Sequence, residues 1–194
     1  SASASSLTVN KGTAFTSSVD DVSYQFVIRD AVTVTPVDGV YTLTTDIREG
    51  TLVTNKYTVD TTDANQRFLI ENDLVDTATL AVTVQNSSSD STTNTYTLAS
   101  DLGAVTNTSK IYYLEQVEQG KYEVVFGDGV LGAALSNGNI VTLEYIVSTG
   151  IASNGATTFT ASSTVGGESD ITIVTNSNSA GGSEPETVES IRFN

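Results

Sequence analysis

Gly127, Gly129 and Gly132 fall at the spacing G-x-G-x-x-G within the run KYEVVFGDGVLGAALSNGNIVTLEYIV. A strand-to-helix turn uses this spacing to cradle the pyrophosphate of a dinucleotide. That chemistry needs a strand before the glycines and a long helix after them, because the phosphate sits on the helix N-terminus. The strand is legible from Tyr122 to Phe126. After Gly132, only Ala133, Ala134 and Leu135 precede the turn signal Ser136-Asn137-Gly138-Asn139, and a β pattern resumes at Ile140. Three residues are less than one helical turn. Glu144 stands at a plausible distance in sequence for a ribose contact, yet without a crossover helix no parallel β-α-β unit can form. The motif therefore reads as a backbone bend. Gly127 and Gly129 are expected to supply φ > 0 and Asp128 to bond nearby amides, with Phe126, Gly132, Asn137 and Gly138 completing the feature. No cofactor is expected.

Oxygen ligands are the other chemistry on offer. Asp20-Asp21, Asp60 with Asp63 and Asn65, and Glu168 with Asp170 could each face a calcium ion, but none has the D-x-[DN]-x-[DN]-G spacing of an EF-hand loop. Solvated loop carboxylates are the simpler reading, so no metal site is assigned. The absences are more restrictive. With no His and no Cys there is no imidazole or thiolate ligand, no Ser-His-Asp triad, no cysteine nucleophile and no disulfide, and no catalytic residue is assigned. A formal charge of −15, from 23 acids against 8 bases, opposes a phosphate backbone, so no nucleic-acid partner is expected. No apolar run approaches the roughly 18 residues of a membrane span, so no membrane partner is expected either. The chain has no Met and opens on SASASS, which leads to the expectation of an internal piece of a longer protein.

The elements that would position these residues are strands. Hydrophobic period is close to 2 almost everywhere, carried by Val, Ile, Thr and Tyr. Strands are expected at 23–30, 31–37, 40–47, 55–60, 67–70, 79–85, 95–99, 111–117, 121–126, 139–147, 157–162 and 170–176. Turn signals separate them, among them Asp38-Gly39, Glu49-Gly50, Asn137-Gly138, Asn154-Gly155 and Gly166-Gly167. Tyr112, Tyr113, Tyr122, Phe126 and Tyr145 alternate with apolar neighbours and read as core and cross-strand pairs. NSSSDSTTN at 86–94 reads as an exposed hairpin tip, and the N-x-[ST] sequons at Asn86 and Asn107 as chance matches in an Asn/Ser/Thr-rich chain. Only GGSEPETVESIRFN differs: Ser183 three residues before Glu186, Pro185, and Val188 with Ile191 on one face predict a helix starting at the C-terminal end. The expected fold is mainly β, with two β-rich subdomains of sandwich or barrel type. One is the discontinuous base, 1–62 plus 149–194. The other is an insertion, 63–148, carrying the FGDG bend.

Three landmarks in order carry a resemblance: EGTLVTNKYTVDTTDANQRFLIENDLVDTATLAVTV at 49–84, YYLEQVEQGKYEVVFGDGVLGAALSNGNIVTLEYIVSTGIASNGA at 112–156, and GGSEPETVESIRFN at 181–194. Together they resemble the baseplate wedge protein of T-even-type contractile-tailed bacteriophages, within the broader baseplate J-like group. The resemblance implies a structural virion protein and not an enzyme. It also implies a location in the tail baseplate after assembly in the host bacterial cytoplasm, and a part in the wedge's ring and arms and in transmitting the contraction trigger. Partners would be copies of itself, as a homodimer or ring in the full-length protein, and other wedge proteins. The piece alone is expected to be a monomer or weak dimer. Two other classes compete. A secreted or surface adhesin-like β-sandwich would repeat with a period of roughly 90–100 residues, which the sequence does not do. A glycan-cleaving tail enzyme would need a carboxylate-lined cleft.

Overall fold

A computed structural model describes residues 4–117 and 120–183. The chain is mainly β and divides into two compact units, 1–52 with 148–194, and 53–147. The C-terminal helix expected from Ser183 onward lies outside the described residues, apart from Ser183 itself. β6 (Thr51–Thr58) runs across the first boundary, so residues 53–62 belong to the second unit.

The first unit holds β1 (Leu7–Val9), β2 (Ala14–Val19), β3 (Val22–Ile28), β4 (Val32–Val34), β5 (Ile47–Glu49) and β13 (Thr160–Ala161). β1 and β4 form a two-stranded antiparallel ladder, and the others a four-stranded sheet in the order β13-β2-β3-β5. The β2–β3 hairpin closes on Asp20 and Asp21, whose φ values of 49° and 63° are those a two-residue type I′ turn demands. Val9, Phe15, Phe26, Ile28 and Ala156 form the core, and Leu7, Leu43, Ile47, Phe159 and Val165 pack onto it. The Phe26 and Phe159 rings meet edge to face at 4.9 Å, the arrangement the ring quadrupoles favour.

The second unit is one sheet in the order β6-β12-β8-β9-β10-β11-β7. It adds β7 (Phe68–Ile70), β8 (Val75–Gln85), β9 (Thr93–Leu98), β10 (Ile111–Gln116), β11 (Tyr122–Phe126) and β12 (Ile140–Val147). β9 and β10 are parallel; the ladders of β8 with β9 and β12, and of β11 with β7 and β10, are antiparallel. The sheet curls until its end strands meet, giving a nearly closed barrel. Tyr57 on β6 donates its hydroxyl to the Leu69 carbonyl on β7 at 2.6 Å and packs edge to face on Phe68 at 5.6 Å. Inside lie Ile70, Leu80, Val82, Val84, Tyr96, Tyr112, Val124, Val141, Leu143 and Tyr145. Alternation along β8 and β12 puts every second residue there, which is the period-2 signal in TLAVTV and IVTLEYIV.

β1, β2 and, beyond Ile47, β5 carry no clear signal in the sequence, and two expected strands are not ladder strands. β2 buries Phe15 and Ser17 on one face, and a serine at an inward position breaks the apolar alternation. Between Tyr41 and Asp46 the chain forms no ladder. There Tyr41 donates to the Ala4 carbonyl at 2.7 Å, and Leu43 packs on the first unit's core. Residues 170–176 likewise form no ladder.

Candidate functional site: the Phe126–Gly138 loops

β11 ends at Phe126, whose ring packs edge to face on Phe68 at 5.3 Å and on Tyr96 at 5.4 Å. This aromatic cluster anchors one end of the glycine loop. Gly127 then pairs with Ala134 in an isolated parallel bridge, so the loop closes on itself. A Cβ added at Gly127 would lie 2.5 Å from the Gly132 carbonyl oxygen and 2.6 Å from its Cα. Contrary to the expectation from sequence, Gly127 does not lie in the positive-φ region; Gly129 and Gly132 do, at +87° and +91°. Gly127 is needed for close backbone approach, and Gly129 for its dihedral.

The loop's amides are already engaged. Asp128 Oδ1 accepts from the Val130 amide at 2.8 Å and the Leu131 amide at 2.9 Å. Gly129 N donates to the Gly132 carbonyl, Gly132 N to Thr106 and Ala133 N to Ser109, at 3.0, 3.1 and 2.8 Å. The Leu131 amide first, and the Val130 amide next, hold the Asp128 carboxyl below its ordinary value. The Asp128 carboxylate thus takes up the Val130 and Leu131 amides of the loop. Downstream the chain does not coil into a helix. It turns at Asn137-Gly138, with φ of +82° at Gly138, and enters β12. That turn is tied to the end of β6: Gly138 N donates to the Val59 carbonyl, Val59 N to the Asn139 carbonyl, and Thr61 N to Asn137 Oδ1.

Of the other carboxylates singled out in the sequence, Asp60 and Asp63 behave similarly, as do three further aspartates. Asp60 Oδ1 accepts from the Thr62 amide and hydroxyl, and Asp63 Oδ1 from the Asn65 amide. Asp76, Asp90 and Asp101 accept from the amides of Ala78, Thr92 and Gly103. Each aspartate accepts from the amide two residues on, the Asx-turn geometry that replaces a backbone turn bond. Asn65 offers its own backbone amide to this scheme. Asp20 and Asp21 form the hairpin turn described above. Glu168 pairs through its backbone with Val165, and Asp170 follows in an unladdered stretch. Among the described residues, no group of three or more His, Cys, Asp or Glu is placed to hold a metal ion. Asn86, in the first sequon, donates its side-chain amide to Asp90 Oδ2 at 2.8 Å, within the hairpin tip.

One pairing had no sequence signal at all. Glu49 Oε2 accepts from the Ser148 hydroxyl at 2.7 Å and the Thr149 amide at 2.8 Å, and Oε1 from the Thr149 hydroxyl at 3.0 Å. It fastens the chain where it returns to the first unit, and nothing local relates residues about a hundred positions apart.

No protein-family model matches the chain, and no curated protein matches it.

Proposed function

We propose that this chain is a structural, non-enzymatic part of a contractile-tail baseplate wedge. In this reading it contributes to ring and arm assembly and to transmitting the contraction trigger. It sits in the virion's tail baseplate after assembly in the host cytoplasm. Its partners are copies of itself and other wedge proteins, not nucleic acid or membrane. The observation that carries the reading is the ordered set of sequence landmarks that resemble that group's, above all Phe126-Gly127-Asp128-Gly129 and Asn137-Gly138-Asn139. The roles of these residues support it: Phe126 joins the aromatic cluster, Gly127 permits a backbone contact, and Asn137-Gly138 ties β12 to β6. Positions of that kind preserve a shape, as an assembly part requires. Carboxylates used as turn caps also suit a scaffold better than a reaction centre.

The test is cryo-electron microscopy of purified contractile tails from the phage that encodes the chain. Density for the seven-stranded sheet within the baseplate ring is the expected result. Tails whose baseplate lacks this chain would overturn the reading.

A further inference from the structure

The tripeptide Ser-Asn-Gly occurs twice, at 136–138 and 153–155, and these hold the chain's two Asn-Gly pairs. Asparagine is thermolabile in such a pair, because the glycine amide nitrogen reaches the side-chain Cγ with no Cβ in its way. The local sequence is the same at both places, so a difference in reactivity comes from the fold. At Asn154 the fold holds every reacting group. Nδ2 donates to the Gly182 carbonyl at 2.9 Å, Oδ1 accepts from Gly182 N at 3.1 Å, and the Gly155 amide donates to the Ser179 carbonyl at 2.8 Å. Asn137 is exposed, and its Nδ2 makes no hydrogen bond among the described residues. Its Oδ1 accepts from the Thr61 amide at 3.1 Å, a donor placed where negative charge develops when a nucleophile adds to Cγ. One bond restrains that nucleophile, from Gly138 N to the Val59 carbonyl at 2.8 Å, and a local opening of the turn releases it.

We propose that Asn137 is a site of spontaneous deamidation and that Asn154 is its protected counterpart. The Gly138 nitrogen gives up its proton and bonds to the Asn137 Cγ. The Cγ to Nδ2 bond breaks, and Nδ2 leaves with that proton as ammonia. Water then opens the cyclic imide at either carbonyl, giving aspartate or, with the main chain rerouted through Cγ, isoaspartate. The two products act differently on the fold. Aspartate keeps a side-chain oxygen for the Thr61 amide. Isoaspartate lengthens the main chain by one methylene just before Gly138, which draws Gly138 N away from the Val59 carbonyl and undoes the tie between the end of β6 and the turn into β12. This inference rests on the turn alone and is independent of the baseplate reading.

Incubation of the folded chain at mildly alkaline pH, followed by peptide mapping with mass spectrometry, is expected to show conversion at Asn137 several-fold faster than at Asn154. In denaturant the two sites should convert at similar rates, since both lie in Ser-Asn-Gly. Hydrogen exchange at the Val59 and Gly138 amides should accelerate in the isoaspartyl product and stay unchanged in Asn137→Asp. Conversion at Asn154 as fast as at Asn137 in the folded chain would overturn the proposal. So would a folded chain in which neither site converts while the denatured chain reacts fully. An Asn137→Asp variant that loses as much protection as the isoaspartyl product would overturn the effect assigned to the rerouted main chain.

Discussion

Thr79 Oγ1 accepts a hydrogen bond from the Ile146 amide at 2.9 Å and donates to the Asp76 carbonyl at 2.6 Å. The β8–β12 register shifts between Glu144 and Ile146, and such a bulge leaves an amide without its ladder partner. Thr79 is 2% exposed, so water cannot take the place of its hydroxyl. Thr79→Val, nearly the same shape, should destabilise the second unit by about 1–3 kcal/mol by leaving a buried amide unpaired. Thr79→Ser should recover most of the loss. Denaturant melts of the three proteins decide it, and equal stability of Val and Thr would refute this role.

Glu49 holds the returning chain through three bonds to Ser148 and Thr149. Hydrogen bonds to a charged acceptor contribute more than neutral ones, so Glu49→Ala should cost about 2 kcal/mol. Hydrogen exchange at the Thr149 amide, which donates at 2.8 Å, should accelerate in the variant.

Acid should loosen the loops before the barrel. Amides of Leu131 and Val130 lower the Asp128 pKa; the Thr62 side chain and amide lower that of Asp60, and the Asn86 side chain with the Thr92 amide that of Asp90. A depressed folded pKa means that the unfolded chain binds protons more readily. Stability from these caps is therefore fully present above the ordinary value of 3.8 and is lost as pH falls below it through the folded values. Neutralising the −15 charge acts in the opposite direction by relieving self-repulsion. Amide exchange at Val130, Leu131, Thr62 and Thr92 across that window should show the local loss even where global melting moves little. Protection that is flat with pH would count against the caps.

Much of the barrel was legible because its strands bury alternate residues: TLAVTV and IVTLEYIV announce β8 and β12 directly. What escaped has identifiable causes. Ser17 takes a buried position in β2, so that strand lacks apolar alternation. DITIVT has the right residues, but a ladder needs a neighbour, and local composition does not record one. Thr79 and Glu49 act on partners 67 and 99–100 residues away, beyond the range of any spacing rule. At the glycine loop, the missing helix was visible as an early turn, whereas the reason for Gly127 was not: a close contact with Gly132 depends on how the loop folds back.

That distinction gives the last prediction. Gly127→Ala inserts a Cβ into the Gly132 backbone, which is held by its bond to Thr106 and cannot yield as a flexible side chain would. Overpacking of this kind should cost about 3 kcal/mol or more and disturb the Phe126 aromatic cluster beside it. Gly129→Ala meets only the Ala134 Cβ at 3.7 Å, so its cost is the left-handed dihedral alone, about 1–2 kcal/mol. Asn at 129 tolerates that dihedral and should lose less than Ala, whereas Asn at 127 should be at least as damaging as Ala there. Melts of these four variants separate steric contact from dihedral preference. If position 129 proved the more sensitive of the two, the close approach of Gly127 to Gly132 would not be what shapes the loop.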